Sequence, residues 1–215
     1  MSEAILSPNC GPRRDGLRPS LIVLHYTAMA SAQAAQDRLC DPKAEVSAHY
    51  LIARSGEILS LVPEELRAWH AGAGEWNGQT DINSRSIGIE LDNNGRAPFS
   101  AVLMDTLMGL LPKIMSRHGI GPEGVIGHSD MAPGRKVDPG ARFDWARLER
   151  SGMARKRGRH VLPTCADMDA FRKLAKQLGY TADADDVTLL DTVRLRYRPW
   201  ARGPLQAEDF AALPV

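Results

Sequence analysis

Leu21-Ile-Val-Leu-His-Tyr-Thr27 is the stretch on which the reading of this 215-residue chain turns. Four apolar residues in succession suit a short buried strand. His25 follows at once, where the chain leaves the core, and a polar group at a strand's end is well placed to face a cleft. Taken alone, such a histidine is more often hydrogen-bonded than a ligand, so the neighbouring segments decide.

Before it, residues 1–19 contain scattered prolines and glycines and read as an irregular arm. Ser31 to Leu39 reads as a short helix that stops near Asp41-Pro42. Ser47–Ala53 and Glu57–Val62 flank Arg54-Ser-Gly56 as a hairpin. Ser86-Ile-Gly-Ile-Glu-Leu91 alternates, with Ile87, Ile89 and Leu91 on one face and Gly88 and Glu90 on the other. Ser100 suits the N-cap of a helix running to about His118. Its apolar stripe contains Val102, Leu103, Leu107, Leu110, Leu111, Ile114 and Met115, and Pro112 should kink it. A breaker segment, Gly119–Gly124, precedes a short strand at Val125-Ile126. Residues 127–143 read as a long loop and 144–150 as a short helix. Alternating strands and helices give an α/β class, with a mixed central sheet flanked by helices over 1–150.

Residues 151–164 change character. Their basic residues, glycines and proline suggest a linker, with the charges of Arg155-Lys-Arg-Gly-Arg159 solvated. Helical periodicity returns over 166–178, 186–197 and 207–213, a small three-helix module within 165–215. Residues 151–215 together carry eleven basic and eight acidic residues, against sixteen and eighteen in 1–150.

Overall, 27 basic residues face 26 acidic ones, which leaves no electrostatic footprint for nucleic acid or an anionic membrane. No run approaches the length of a transmembrane helix. The first ten residues lack a basic region followed by an apolar one, so a cytoplasmic location is expected for the chain as given, and periplasm or cell envelope if a leader has been removed. Cys10, Cys40 and Cys165 form no Cys-x-x-Cys pair and read as free thiols, with a Cys10–Cys40 bridge left open.

The chemistry concentrates in three places. Gly127-His-Ser-Asp-Met-Ala-Pro-Gly-Arg-Lys-Val-Asp-Pro-Gly140 puts His128 at a strand end and Asp138 ten residues later, with glycines and prolines folding the loop back. Imidazole and carboxylate are ligands that zinc accepts, and three protein ligands leave a position for water. Lys136 points the same way as Asp138 if that stretch is extended. Glu90 faces away from the apolar side of its strand. It is either a solvent-facing glutamate or the carboxylate that takes a proton from water beside the metal.

With Val46-Ser-Ala-His-Tyr50 and Ala68-Trp-His-Ala-Gly72, these segments resemble, in the family's order over about 20–150, the zinc-dependent N-acetylmuramoyl-L-alanine amidases of the type 2 family, in its bacterial branch. The resemblance implies Zn2+ held by His25, His128 and Asp138, Glu90 as acid/base and Lys136 as the group that stabilises the oxyanion. It implies Tyr26, Trp69, His70 and Asn83 at the substrate, and a supporting role for His49. The substrate implied is peptidoglycan or a muropeptide, cut at the amide between N-acetylmuramic acid, or its 1,6-anhydro form, and L-alanine. The short stretch between His25 and Val46 is more similar to the branch that acts on intact and anhydro-muropeptides alike. The three-helix module resembles peptidoglycan-binding helical domains; a helical cap on the catalytic part is the plainer alternative. Arg194, Arg196 and Arg198 alternate there, either reaching a sugar or peptide carboxylate or simply solvated. A non-catalytic peptidoglycan receptor is the alternative function. Receptors of that kind usually lose a zinc ligand, whereas this chain keeps all three. The absence of His-Glu-x-x-His argues against other zinc peptidases.

Overall fold

Leu21 to Leu24 are all buried, with Ile22 and Leu24 in the core on one side of a sheet and Leu21 and Val23 in the core on the other. A strand covered on both faces needs an unbroken apolar run, and this one has it. In the computed structural model, which describes residues 6–158, 163 and 165–214, the elements run β1 (Cys10–Pro12), β2 (Leu21–Tyr26), α1 (Ala32–Cys40), β3 (Tyr50–Ile52), β4 (Ile58–Ser60), β5 (Leu66–Ala68), α2 (Ile82–Arg85), β6 (Ser86–Leu91), α3 (Ala101–His118), β7 (Val125–Gly127), α4 (His128–Met131), α5 (Trp145–Arg150), α6 (Met168–Gln177), α7 (Asp186–Tyr197) and α8 (Ala207–Ala212). The main sheet has the order β4-β3-β6-β2-β7. β2 is parallel to β6 and β7, β3 is parallel to β6, and β4 closes the edge as the antiparallel arm of the expected hairpin.

α3 covers one face. Ser100 caps it by accepting from the Leu103 N–H, and the helix continues through Pro112 to His118. Leu103, Leu107, Leu110, Leu111 and Ile114 pack on Ile22, Leu24, Ile87, Ile89 and Leu91. Each such side chain contributes roughly 1.5–3 kcal/mol of hydrophobic burial before entropy is charged against it. Val102, expected in this stripe, is 54% exposed because its position has turned to the solvent side.

The opposite face is shared. Leu21, Val23, Ile126 and Met131 form one core with Phe171, Leu189, Leu190, Val193 and Tyr197 of the C-terminal helices. Asp167 and Asp185 cap α6 and α7 through their side chains. The segment before them is fastened as well. Arg157 bonds the buried Glu149 carboxylate, and Gly158 N–H donates to Ala212 O. Arg159 and His160 lie outside the described residues.

Three expectations need correction. The N-terminal arm is not irregular throughout, because β1 pairs antiparallel with β5 in a second small sheet. Arg13 fixes the arm further by donating to the carbonyls of Glu64, Asn83, Ser84 and Ser86. The stretch 127–143 is not all loop, since it opens with the one-turn helix α4. The alternating arginines are neither solvated nor free for a ligand. Arg194 and Arg198 bind Asp209, and Arg196 binds Asp130. Arg194 and Arg196 are 2% and 3% exposed, and a buried guanidinium persists only with such partners. All three cysteines are free thiols. No described helix is long and apolar enough to cross a membrane.

Candidate active site

β2, β6 and β7 run parallel, so their C-terminal ends meet at one edge of the sheet, where open α/β sheets place their ligands. His25 stands opposite Glu90 in the β2–β6 register. Leu24 stands opposite Gly127, and His128 follows directly. Gly134 and Gly140, at φ of +72° and +80°, let the next loop turn back. Ser129 N–H donates to Asp138 O at 2.9 Å, which seats Asp138 beside the histidines, and the Asp138–Pro139 peptide is cis.

Three buried ligand atoms converge. His25 Nδ1 lies 2.9 Å from His128 Nδ1, and each lies 3.0 Å from Asp138 Oδ2. The surrounding bonds settle which nitrogens carry hydrogen. Ser86 Oγ donates to Ile82 O at 2.6 Å, so it can only accept from His70 Nε2 at 3.2 Å. His70 Nδ1 therefore accepts from His25 Nε2 at 3.0 Å, leaving the His25 Nδ1 lone pair facing the centre. His128 Nε2 faces the Ala71 carbonyl at 2.8 Å and must donate, which also turns the Nδ1 lone pair inward. Burial, aided by repulsion from His128, pushes His25 down to about 4, so neutral imidazole is its form near neutral pH. Burial and the adjacent histidines hold His70 well below the ordinary range too. Two lone pairs and a carboxylate oxygen at such separations repel one another, and a divalent cation among them removes that repulsion. The donor set and its hydrogen-bonded outer shell fit zinc.

Glu90 borders the same cavity, of about 380 Å3. Its Oε2 is buried with no hydrogen-bond partner among the described residues. Burial and the Asp138 charge, opposed by Lys136, push the carboxyl up to about 8. Lys136, Tyr26 and Trp69 line the cavity. His70 does too, but it is buried and sits behind His25. Asn83 is not brought to the cavity wall; its Oδ1 accepts from the His70 and Ala71 N–H groups and fixes that strand end. His49 Nδ1 accepts from the Gly88 N–H at 2.9 Å and its Nε2 faces Leu66 O, so neither nitrogen is free for a metal.

The sequence reading missed Ser86 as the end of the histidine relay, and Arg135, whose guanidinium holds the Ala71 and Ala73 carbonyls. It also missed Arg38, Met29 and Val46, which wall the cavity. Arg135 carried no local signal, because its partners lie 64 and 62 residues away in the chain.

A buried cluster of two histidines and one carboxylate that could hold a metal ion, beside an unpartnered glutamate and a lysine, is the kind of arrangement that metal-assisted hydrolysis requires. Comparison with known proteins narrows the class. Residues 15–141 match the family described as N-acetylmuramoyl-L-alanine amidase, and the chain belongs to that family. It is 39% identical over 152 residues to N-acetylmuramoyl-L-alanine amidase AmiD of Escherichia coli, a match covering 63% of this chain and 54% of the relative, so it spans about half of that protein's length. It is 34% identical over 159 residues to 1,6-anhydro-N-acetylmuramyl-L-alanine amidase AmpD of Escherichia coli, covering 66% of this chain and 87% of the relative. Among solved structures, the complex of Escherichia coli AmiD with anhydro-N-acetylmuramic acid-L-Ala-D-γ-Glu-L-Lys superposes with a TM-score of 0.81 at 31% identity, over 92% of this chain and 89% of that one. AmpDh3 from Pseudomonas aeruginosa with anhydromuramic pentapeptide gives 0.81 at 30% identity, over 93% and 92%.

Proposed function

We propose that the chain hydrolyses the amide between N-acetylmuramic acid, or its 1,6-anhydro form, and L-alanine of the peptidoglycan stem peptide, using zinc held by His25, His128 and Asp138. The observation that carries this reading is the convergence of the three donor atoms within 3.0 Å of one another next to an unpartnered buried glutamate oxygen. Family membership and the muropeptides named in the neighbouring structures support the substrate class.

An amide is a poor electrophile. Bound zinc supplies Lewis acidity toward the scissile carbonyl and toward water. Glu90, with both protonation states accessible because burial has raised it, takes the proton of the attacking water and returns it to the departing L-alanine nitrogen. Lys136 offsets the negative charge that grows on the tetrahedral oxygen; one such donor is worth roughly 3–4 kcal/mol. His70 and Ser86 hold the His25 ring in its working tautomer. Tyr26 and Trp69 supply apolar wall against the sugar and peptide. On this reading the chemistry belongs to residues 1–150, and the helices of 165–215 back the sheet face that bears it.

The test is mass spectrometry of products from soluble anhydro-muropeptides and from intact sacculi, with and without a chelator. Free stem peptide is expected from both, together with the peptide-free anhydro-N-acetylmuramyl sugar from the soluble muropeptides and peptide-free glycan from the sacculi, abolished by chelation and restored by zinc. Muropeptides recovered uncut with zinc present would overturn the reading.

A further inference from the structure

We propose that Arg196 and Tyr180, through Asp130, make the C-terminal helices a positioning element of the metal centre, holding the turn that carries His128. The inference rests on the reading of His25, His128 and Asp138 as a metal site.

His128 opens α4, a helix of four residues, which is too short to hold its own geometry. Its shape is imposed from outside. Asp130 Oδ2 accepts from the Gly127 N–H at 2.8 Å and from Arg196 Nη1 at 3.1 Å, while Oδ1 accepts from the Tyr180 hydroxyl at 2.8 Å. Arg196 Nη1 also donates to Val125 O at 3.2 Å, and its guanidinium lies 4.2 Å from the centroid of the Trp145 ring. One side chain of α7 thus touches β7, α4 and α5 around His128.

A second fastening runs to the same place. His128 Nε2 donates to Ala71 O, and the segment after Ala71 is tied to the turn that follows α6. Asn77 N–H donates to Gly179 O at 3.0 Å, Gly78 N–H donates to Thr181 Oγ1 at 2.7 Å, and Trp76 meets the Tyr180 ring edge-on at 5.0 Å. Tyr180 therefore serves both routes, with its hydroxyl on Asp130 and its ring on Trp76. A cap that merely covered apolar surface needs none of this. Arg196 Nε and Nη2 are buried without hydrogen-bond partners among the described residues, a poor arrangement for stability alone, where an apolar side chain would serve better. The buried pair defines a position instead.

The experiment uses the 215-residue chain and four variants: Tyr180→Phe, Arg196→Met, Arg196→Lys and Leu190→Ala. Leu190 is buried in the same shared core and makes no bond to Asp130. Zinc affinity is measured by chelator competition, the visible spectrum of the cobalt-loaded protein reports ligand geometry, and melting reports stability. Direct partners of metal-bound histidines are typically worth 10–100-fold in affinity, and these residues act one step further out. A loss of roughly 3- to 30-fold is expected in Tyr180→Phe and Arg196→Met, with a changed cobalt spectrum and partial recovery in Arg196→Lys. Leu190→Ala should melt lower yet bind zinc normally. A folded Tyr180→Phe with the parent's zinc affinity and cobalt spectrum overturns the proposal, even if Arg196→Met fails to fold. So does Leu190→Ala losing affinity to the same extent as Tyr180→Phe. If the parent protein binds neither metal, the hydrolase reading falls first and takes this one with it.

Discussion

Adding one methyl group at Gly88 tests the histidine relay without touching any ionisable group. A Cβ there would lie 2.4 Å from His70 Cγ, 2.6 Å from Cδ2 and 2.7 Å from Nδ1. Ordinary carbon contacts begin near 3.4 Å, so the ring must retreat by roughly 1 Å or the strand must bulge. His70 Nδ1 sits 3.0 Å from His25 Nε2. A retreat of that size carries the pair beyond hydrogen-bond range. His25 then loses the acceptor that fixes its tautomer, which should weaken zinc binding by about 10–100-fold. Overpacking should cost a further 1–3 kcal/mol or so of stability. For a chain of this size that is roughly 2–4 °C of melting temperature per kcal/mol. Gly109 in α3 is the control, since a Cβ there meets nothing within 4 Å. Gly109→Ala should be neutral or stabilising by about 0.5–1 kcal/mol, the usual helix preference. The assay is chelator competition alongside thermal melting. Gly88→Ala with unchanged zinc affinity would show that His70 does not govern His25.

Glu90→Gln should keep zinc and fold while turnover falls by about 10²–10⁴-fold, measured by product release from anhydro-muropeptide; near-normal turnover would pass the proton to another group. Lys136→Met should lower kcat more than it raises KM, because its charge is needed mainly in the transition state; steady-state kinetics on the same substrate decide. Glu64 is held down at about 2 by hydrogen bonds from Arg117, Tyr50 and His118, which outweigh the burial that raises it. With the folded carboxyl below its unfolded value, this stabilisation is present above about pH 4.5 and lost as pH falls toward 2. After solvent screening it should amount to about 1–2 kcal/mol. Acid titration of stability for Glu64→Gln, compared with the parent, should show that part of the slope gone.

The candidate site was legible where residue chemistry and local pattern coincide. His25, Glu90 and His128 stand at strand ends, and alternation along 86–91 put Glu90 on the face opposite Ile89. Asp138 was legible because glycines and prolines mark a loop that must fold back. What could not be read was partnership across distance. Arg196 and Asp130 are 66 residues apart, and a charged residue on a helix carries no mark of being buried. β1 and β5, three residues each, are too short for periodicity to register. Asn83 has the composition of a ligand-binding residue, yet its two backbone bonds to His70 and Ala71 exist only once the chain has folded.

The parallel register of β2, β6 and β7 separates two jobs that many folds mix. His25 and Glu90 hang from strands locked together by main-chain bonds, and His128 directly follows a third, so the spacing of these groups does not depend on the segment between β2 and β3. One wall of the cavity, by contrast, comes from Met29, Ala35, Arg38, Leu39 and Val46, in and around α1. If the proposed hydrolysis holds, substitution or lengthening of residues 29–46 should retune which sugar or peptide is admitted while His25, Glu90 and His128 stay where they are. A library confined to that segment would sample selectivity at nearly constant chemistry.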